Sequence, residues 1–408
     1  MHVERDTGTR AAYATLATWA SFLYFVGPVT PLIAQQLGIP LQEAGLIGVA
    51  LAAGVVAGGL AGPTVLRRLG RTRTGIVAAV GMSLGSGLLA LVDGLPAVVA
   101  AVLLASATGS VLMTVATAAL ADRHGPAGPR AITEANAAAA WVGVLSPLLI
   151  GAVVGLGWGW RPAAVAVALL GLVLAAVLAR HPVAEGPPAQ HGLAGADSVL
   201  AAADDPAPTE GGGDAAPPPG RLSGRFYVSV VAVVAAVGAE ISLNFWGGVL
   251  IAENTGVDLA AATALLAVLI GGIAVGRTLG SGLARRFPVG RLVHASLALS
   301  LIGFLVVWSA PTVLLAVTGL FLTGVGYALL FPLTSSLALQ HAAGQADRAM
   351  SLVAVVIGVT MGAAPFLLGA LAGSLGVRAG FLIVPVLLVA GGVAIRIAGQ
   401  PATLSHVS

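Results

Sequence analysis

The hydrophobic residues of the chain fall into twelve long runs, separated by short segments that carry most of its Arg, Gly and Pro. A helix needs about 20 apolar residues to cross a bilayer. The first six runs predict spans near 12–34, 43–66, 74–92, 96–120, 131–156 and 160–180. The second six predict spans near 226–251, 259–283, 289–309, 312–338, 349–373 and 378–399. The pattern therefore predicts an all-α membrane protein.

The segment 181–224 breaks this pattern. It holds eight Pro, eight Gly, six acidic residues and one Arg, with no apolar helical period. Such a composition cannot bury a core, so we expect a disordered cytoplasmic linker. An acidic or proline-rich partner site within it is the alternative. The predicted organisation is a six-helix half at 1–180, the linker at 181–224 and a second six-helix half at 225–408.

A glycine pattern followed by an arginine pair occurs once in each half. It comprises Gly54, Gly58, Gly62, Arg67 and Arg68 in the first half, and Gly272, Gly276, Gly280, Arg285 and Arg286 in the second. The offset is constant, since 272 − 54 = 218 and 285 − 67 = 218. Glycines at every fourth position let helices approach closely in lipid, and an arginine pair ends a span at the membrane surface. Two copies in one register indicate a duplicated bundle.

Charge gives the expected orientation. All 19 basic residues are Arg, and 16 of them lie in or beside the loops that share a side with both termini. Arg161 and Arg378 lie on the other side, and Arg277 lies within a span. The positive-inside rule therefore predicts that both termini are cytoplasmic, with Trp158, Trp160 and Trp308 at the outer surface.

Composition also excludes several classes of function. Charged residues make up only 9% of the chain, the net charge is +3, and there is no Cys. The arginines form no patch suited to nucleic acid. Disulfides and thiolate metal sites are excluded, and no motif for a metal, a cofactor or a phosphate-cradling loop is present.

The two glycine–arginine junctions resemble the loops after spans two and eight of the major facilitator superfamily. The matching segments are 66–71 and 283–287, but Arg67 and Arg285 stand where the family carries Asp. The resemblance implies a gating role at the cytoplasmic junction for Arg67, Arg68, Gly70, Arg71, Arg277, Arg285 and Arg286. The missing acids put the usual charge lock in doubt, unless other acids rebuild it.

The fifth predicted span resembles an antiporter motif of the same family. It carries Gly143, Pro147 and Gly151, with Ser146 in place of the second Gly. Gly358, Gly362 and Pro365 repeat the pattern in span eleven. The resemblance implies two six-helix halves that rock around a central cavity, with these motifs at the interface. Spans 1, 4, 7 and 10 would line the cavity, where Tyr24, Asn136, Trp141, Asn244 and Tyr327 are candidate substrate contacts.

Glu240 is the strongest single site candidate. It lies near the middle of span seven, one turn before Asn244. Ionisable groups inside the membrane are costly and usually functional, so we expect Glu240 to carry a coupling proton. The alternative is a carboxyl paired for packing. Arg277 is interpreted as a favourable cation near a helix C-terminus. Glu134, which opens span five, could pair with a junction arginine.

These observations predict a monomeric secondary transporter of a small organic solute in the bacterial inner membrane, surrounded by lipid and coupled to protons. The span-five motif favours efflux of a drug or metabolite. The pattern from Glu240 to Trp246 favours a sugar-type uptake permease instead. A non-transporting membrane protein and a membrane-embedded enzyme are the remaining alternatives.

Overall fold

The computed structural model describes residues 6–181, 222–284, 286–342 and 345–399. This part of the chain contains twelve helices long and apolar enough to cross a membrane. They are α1 Thr7–Leu37, α2 Leu41–Leu69, α3 Arg71–Leu91, α4 Leu95–His124, α5 Arg130–Gly155, α6 Arg161–Arg180, α7 Gly224–Thr255, α8 Leu259–Gly280, α9 Val289–Ser309, α10 Val313–Gln340, α11 Arg348–Leu375 and α12 Val377–Ala398. The predicted twelve-span, all-α fold is confirmed. Most of the predicted linker lies outside the described residues.

The first helix of each half is longer than its apolar run. Helix α1 begins after Asp6, whose carboxylate accepts a hydrogen bond from the Thr9 backbone N–H at 2.9 Å. Helix α7 begins after Ser223, whose hydroxyl accepts from the Phe226 N–H at 3.1 Å. Such caps satisfy free N–H groups of the first turn, which stabilises the start of each helix ahead of its apolar run.

The two glycine patterns make equivalent contacts in the two halves. A Cβ on Gly58 of α2 would overlap the Ala107 carbonyl oxygen of α4. A Cβ on Gly276 of α8 would lie 3.0 Å from the Val325 carbonyl oxygen of α10. The contacts share the offset of the repeat, since 276 − 58 = 218 and 325 − 107 = 218. The pseudo-symmetry of the fold is thus built from backbone approaches that only glycine permits.

The halves meet tightly at one side of the bundle. We call the side that carries Thr7 and Ala398 the terminal side, and the opposite side the distal side. Near the distal side, a Cβ on Gly45 of α2 would lie 2.8 Å from the Phe366 Cα of α11. One on Gly369 of α11 would lie 2.6 Å from the Leu41 carbonyl oxygen. The structure is therefore closed at the distal side.

Candidate functional site

Two opposite charges lie inside the helical bundle. Glu240 is near the middle of α7, and Arg277 is on the neighbouring α8. The two side chains interact electrostatically and both are half-buried. They do not form a direct ion pair, whereas the described part of the chain forms such pairs at Arg71–Asp122, Arg123–Asp6, Arg130–Glu134 and Arg161–Asp93. The charges are close enough to compensate each other while remaining out of contact.

The N-terminal half contributes a tyrosine to this pair. Tyr24 of α1 is buried, and its hydroxyl lies close to the Arg277 guanidinium. The Tyr24 ring packs against Gly143 of α5, where a Cβ would overlap the ring. Gly143 therefore makes room for the tyrosine, and Tyr24 connects the charges on the C-terminal half to the opposite half.

A second tyrosine approaches from α10. Tyr327 is 1% exposed and interacts electrostatically with Glu240. Its buried hydroxyl has no hydrogen-bond partner in the described structure. Such an unsatisfied polar group is costly and often marks a site that a ligand or water completes. We call Tyr24, Glu240, Arg277 and Tyr327 the charged cluster. Its members come from α1, α7, α8 and α10.

Asn244 lies one turn from Glu240, on the distal side of the charged cluster. It is 5% exposed, and its side-chain amide occupies the space above Gly27 of α1. A Cβ on Gly27 would overlap the Asn244 Oδ1. Asn244 therefore closes the gap between α1 and α7 next to the cluster.

The other two candidate cavity residues make no hydrogen bond or ion pair with the charged cluster in the described structure. The Asn136 side chain donates to the Ile132 carbonyl oxygen of its own helix at 3.0 Å. Trp141 is 50% exposed. Both lie on α5, which approaches the cluster through Gly143 instead.

The junction arginines behave differently from one another. Arg67 donates to the Thr64 hydroxyl at 3.2 Å, and Arg68 and Arg286 are exposed. Arg285 lies outside the described residues. Gly70 has a φ of 75°, which lets the chain turn sharply between α2 and α3. Arg277 is set apart from this group, because it lies with Glu240 and Tyr24.

Arg71 makes the strongest contact at the junction. Its side chain is 8% exposed and forms an ion pair with Asp122 at the end of α4. Asp6 forms a second ion pair nearby, with Arg123. The hydrogen bond from Arg123 holds the pKa of the Asp6 carboxyl well below its usual range. Sequence reasoning missed both acids, because nothing local to residues 6 or 122 signals the partner.

Glu134 pairs near the terminal side, within its own helix and with α1. It accepts from Arg130 at 3.3 Å and from the Tyr13 hydroxyl at 3.3 Å. Asp6 and Asp122 through ion pairs, and Glu134 through its hydrogen bond from Tyr13, tie helices of the N-terminal half to one another. Arg67 and Arg285 stand where the family carries acids. The contacts made by Asp6, Asp122 and Glu134 all lie within the N-terminal half.

The candidate interface motifs lie between helices of the two halves. A Cβ on Gly151 of α5 would lie 2.5 Å from the Ala264 Cβ of α8, and one on Gly362 of α11 would lie 3.0 Å from the Ala52 Cβ of α2. Gly358 faces Val56 of α2 in the same way.

Two further members of these motifs hold helices together through hydrogen bonds. The Pro365 carbonyl oxygen accepts from the Trp246 indole N–H at 2.8 Å. The buried Pro147 follows Ser146, whose hydroxyl donates to the Ser21 carbonyl oxygen at 2.8 Å. Across the described ranges, no group of three or more His, Asp or Glu residues is arranged to hold a metal ion.

Twelve membrane-spanning helices in two pseudo-symmetric halves define the fold of a membrane transporter. The chain belongs to the Major Facilitator Superfamily, whose profile matches residues 12–225 and 228–406. No curated protein sequence matches it.

Solved transporters share the fold at low identity. The nucleoside transporter NupG superposes with a TM-score of 0.74 at 12% identity, covering 97% of this chain and 100% of that one. A bacterial homologue of the human lysosomal transporter Spinster gives a TM-score of 0.69 at 13% identity, covering 96% and 95%. The fucose:proton symporter FucP of E. coli gives 0.61 at 15% identity, covering 96% and 98%. The chain is thus a solute transporter by family and by fold.

Proposed function

We propose that this protein is a proton-coupled secondary transporter of a small organic solute, with Glu240 as the residue that binds the coupling proton. The observation that carries the proposal is the position of Glu240. It lies in the middle of α7, within electrostatic range of Arg277 and of Tyr327.

The chemistry of the pair supports this role. A charge inside the membrane is expensive and persists mainly where it is used. A carboxylate can lose its charge by taking a proton, whereas a guanidinium stays charged at any physiological pH. Glu240 is therefore the member of the pair that can gain and lose a proton during a cycle.

The contact across the halves supports coupling to alternating access. Arg277 on the C-terminal half lies close to the hydroxyl of Tyr24 on the N-terminal half. Rocking of the halves would break or remake this contact, and Arg277 would then compensate the Glu240 charge to a different degree. The proton affinity of Glu240 would follow the conformation, as coupling requires.

The direction of transport is proposed from the fifth span. Its antiporter-like motif lies at the α5–α8 contact and favours export of a drug or metabolite. A sugar-type uptake permease is the second candidate, suggested by Trp246. That indole is 1% exposed and hydrogen-bonded to Pro365, so it is used for packing between α7 and α11. This contact weighs against uptake of a sugar by stacking on Trp246. We place the protein as a monomer in a bacterial inner membrane, with both termini in the cytoplasm.

Proton flux in liposomes tests the proposal. The purified protein is reconstituted with a pH-sensitive dye inside, and candidate solutes are added outside. A transported solute should move protons with the wild-type protein. Glu240→Gln should abolish this flux yet retain solute exchange, and Glu240→Asp should retain part of the flux. The control is Glu253→Gln, which changes an exposed acid at the distal end of the same helix. Solute-driven proton flux that persists in Glu240→Gln would overturn the proposal.

A further inference from the structure

We infer that the charged cluster binds an organic solute with a single negative charge, through Arg277, and moves it together with one proton on Glu240. This inference rests on the proposed proton coupling and adds the class of substrate and the stoichiometry. It takes solute and proton to move in the same direction, so export would run down the concentration gradient of the solute rather than by exchange for a proton. It follows from counting the charges that the site must hold in each state.

The count begins with two residues that differ in what they can do. Among the described residues, Glu240 is the one acid near the middle of a span, since Glu43, Asp122, Glu134 and Glu253 lie near helix ends. Arg277 cannot lose its charge. When Glu240 is ionised, the pair is neutral. When Glu240 takes a proton, Arg277 loses the only charge that the described part of the bundle places beside it.

A second negative charge must then come from the solute. A protonated Glu240, a charged Arg277 and a monoanion sum to zero. A neutral solute with the same proton leaves a net charge of +1, and a cationic solute leaves +2. An uncompensated charge in a low-dielectric site costs several kcal/mol. The monoanion with one proton is therefore the loaded state that matches the neutrality of the empty site.

The geometry provides donors for such an anion. Arginine often binds a carboxylate through two parallel N–H donors. Arg277 makes no direct ion pair with Glu240, so Glu240 does not occupy its guanidinium in this way. Tyr24 already contacts the guanidinium with its hydroxyl. The Tyr327 hydroxyl is buried and has no partner in the described structure. An anion between these groups would satisfy Tyr327 and make a charge-assisted contact with Arg277.

The position of the donors links the anion to the conformational cycle. Tyr24 belongs to α1, whereas Arg277 and Tyr327 belong to helices of the other half. A bound anion that contacts all three would hold the two halves together around the site. Protonation of Glu240 and binding of the anion to Arg277 would then favour the same state, in which the two halves close around the site.

Matched solutes test the inference directly. The purified protein in weakly buffered detergent is titrated at millimolar concentration with benzoate and lactate, with their amides, and with zwitterionic amino acids. Thermal unfolding reports binding, and a pH indicator reports protons taken up. A carboxylate should raise the unfolding temperature and one proton should be taken up for each carboxylate bound. The amides should have no effect, and carboxylate affinity should rise as the pH falls.

Variants separate the two charges. Arg277→Gln should weaken carboxylate binding about ten-fold or more, since a charge-assisted contact is lost. Arg277→Lys should retain most of it, and Tyr327→Phe should weaken it less than Arg277→Gln does. Glu240→Gln should bind carboxylate with no proton uptake and with an affinity that no longer depends on pH. Arg378→Gln, at an exposed arginine on the distal side, is the matched control.

Each result bears on the inference. It is overturned if no carboxylate raises the unfolding temperature, if the amides bind as well, or if a zwitterion binds with no proton taken up. A neutral or cationic solute that drives Glu240-dependent proton flux in liposomes overturns it and leaves the proposed function standing. Carboxylate binding with proton uptake, but without solute-driven proton flux in liposomes, supports this site and overturns the proposed function.

Discussion

The side-chain oxygen of Asn244 occupies the space that a Cβ on Gly27 would need. The two residues belong to α7 and α1, and therefore to opposite halves of the bundle. Their contact lies beside the charged cluster on its distal side, where Asn244 is almost completely buried. The distal closure next to the site thus depends on the absence of one methyl group.

Gly27→Ala should shift the conformational equilibrium away from the distal-closed state. Overpacking of this kind typically costs about 1–3 kcal/mol, which corresponds to a roughly five- to hundred-fold change in population. The chain has no native Cys, so Leu41→Cys provides a clean reporter at the distal closure. Its reaction with a water-soluble maleimide should be faster in the Gly27→Ala background.

Truncation of Asn244, the residue that a methyl group at position 27 would overlap, tests whether this overlap is the cause. Asn244→Ala combined with Gly27→Ala should return the labelling rate toward that of the parent protein, because the two atoms nearest the new methyl, Oδ1 and Cγ of Asn244, are then removed. Gly59→Ala on α2 is the matched control, since a Cβ there meets nothing within 4 Å. Equal labelling rates for Gly27→Ala and Gly59→Ala would show that this contact does not control closure.

Asp122→Asn should destabilise the N-terminal half. Its partner Arg71 is buried, with an 8% exposed side chain, and the substitution removes the negative charge opposite it. We expect a loss of about 1–3 kcal/mol, measured as a lower unfolding temperature in detergent. Asp93→Asn is the control, since Asp93 pairs with Arg161 but is 78% exposed. An exposed pair contributes about 0–1 kcal/mol, so equal effects of the two changes would contradict the assigned role of Arg71.

His341 should make the stability of the C-terminal half depend on pH. It lies just after α10, with its Nδ1 2.9 Å from the Ser229 hydroxyl and its Nε2 without a partner in the described structure. Burial, and then the charge of Arg225, lower the pKa of His341 below its ordinary value of 6.5. The unfolded chain therefore takes up this proton at a higher pH than the folded chain does, and stability falls as the pH drops below about 6.5.

The comparison with His341→Gln isolates this contribution. Between about pH 7.5 and pH 5.5, the unfolding temperature of the wild-type protein should fall further than that of the variant, because the variant has no imidazole to protonate at this position. His294→Gln should behave like the wild type. An identical pH dependence in wild type and His341→Gln would show that the buried imidazole does not resist protonation.

The hydrophobic pattern was sufficient for the fold and only partly sufficient for the site. Span length and glycine spacing are local properties, so the twelve helices and the close helix approach at Gly58 followed from the sequence, but the partner helix α4 did not. The partner of Arg277 did not either. The predicted span ends near residue 283 and the helix continues to Ala284, so Arg277 lies about two turns before the helix end, as the sequence predicts. Its approach to Tyr24 of the other half could not be predicted, because it depends on how α1 and α8 pack.

Contacts between distant segments account for the rest. The pair of Arg71 with Asp122 joins residues 51 positions apart, and the contact of Tyr24 with Arg277 joins two halves. Such pairs depend on how helices pack, which no local pattern specifies. The mid-span position of Glu240 could be predicted, because an acid within a long apolar run is visible in the sequence whether or not its partner is known.

The orientation in the membrane can be tested with two cysteine variants. In the sequence, 16 of the 19 arginines fall in or beside the segments that share a side with both termini, which predicts that this side faces the cytoplasm. Ser309→Cys places a thiol at the distal end of α9, where the serine is exposed and bonds only to its own helix. Gln340→Cys places one at the exposed terminal-side end of α10. In intact cells, a membrane-impermeant maleimide should label Ser309→Cys and spare Gln340→Cys, and both should react after the cells are opened. The reverse pattern would show that the arginine-rich side faces outward. Labelling of both variants in intact cells would have two explanations: the reagent reaches position 340 through the protein, or the membrane is not sealed. The variant Arg180→Cys distinguishes them, because its thiol at the terminal-side end of α6 should be labelled only if the membrane is not sealed.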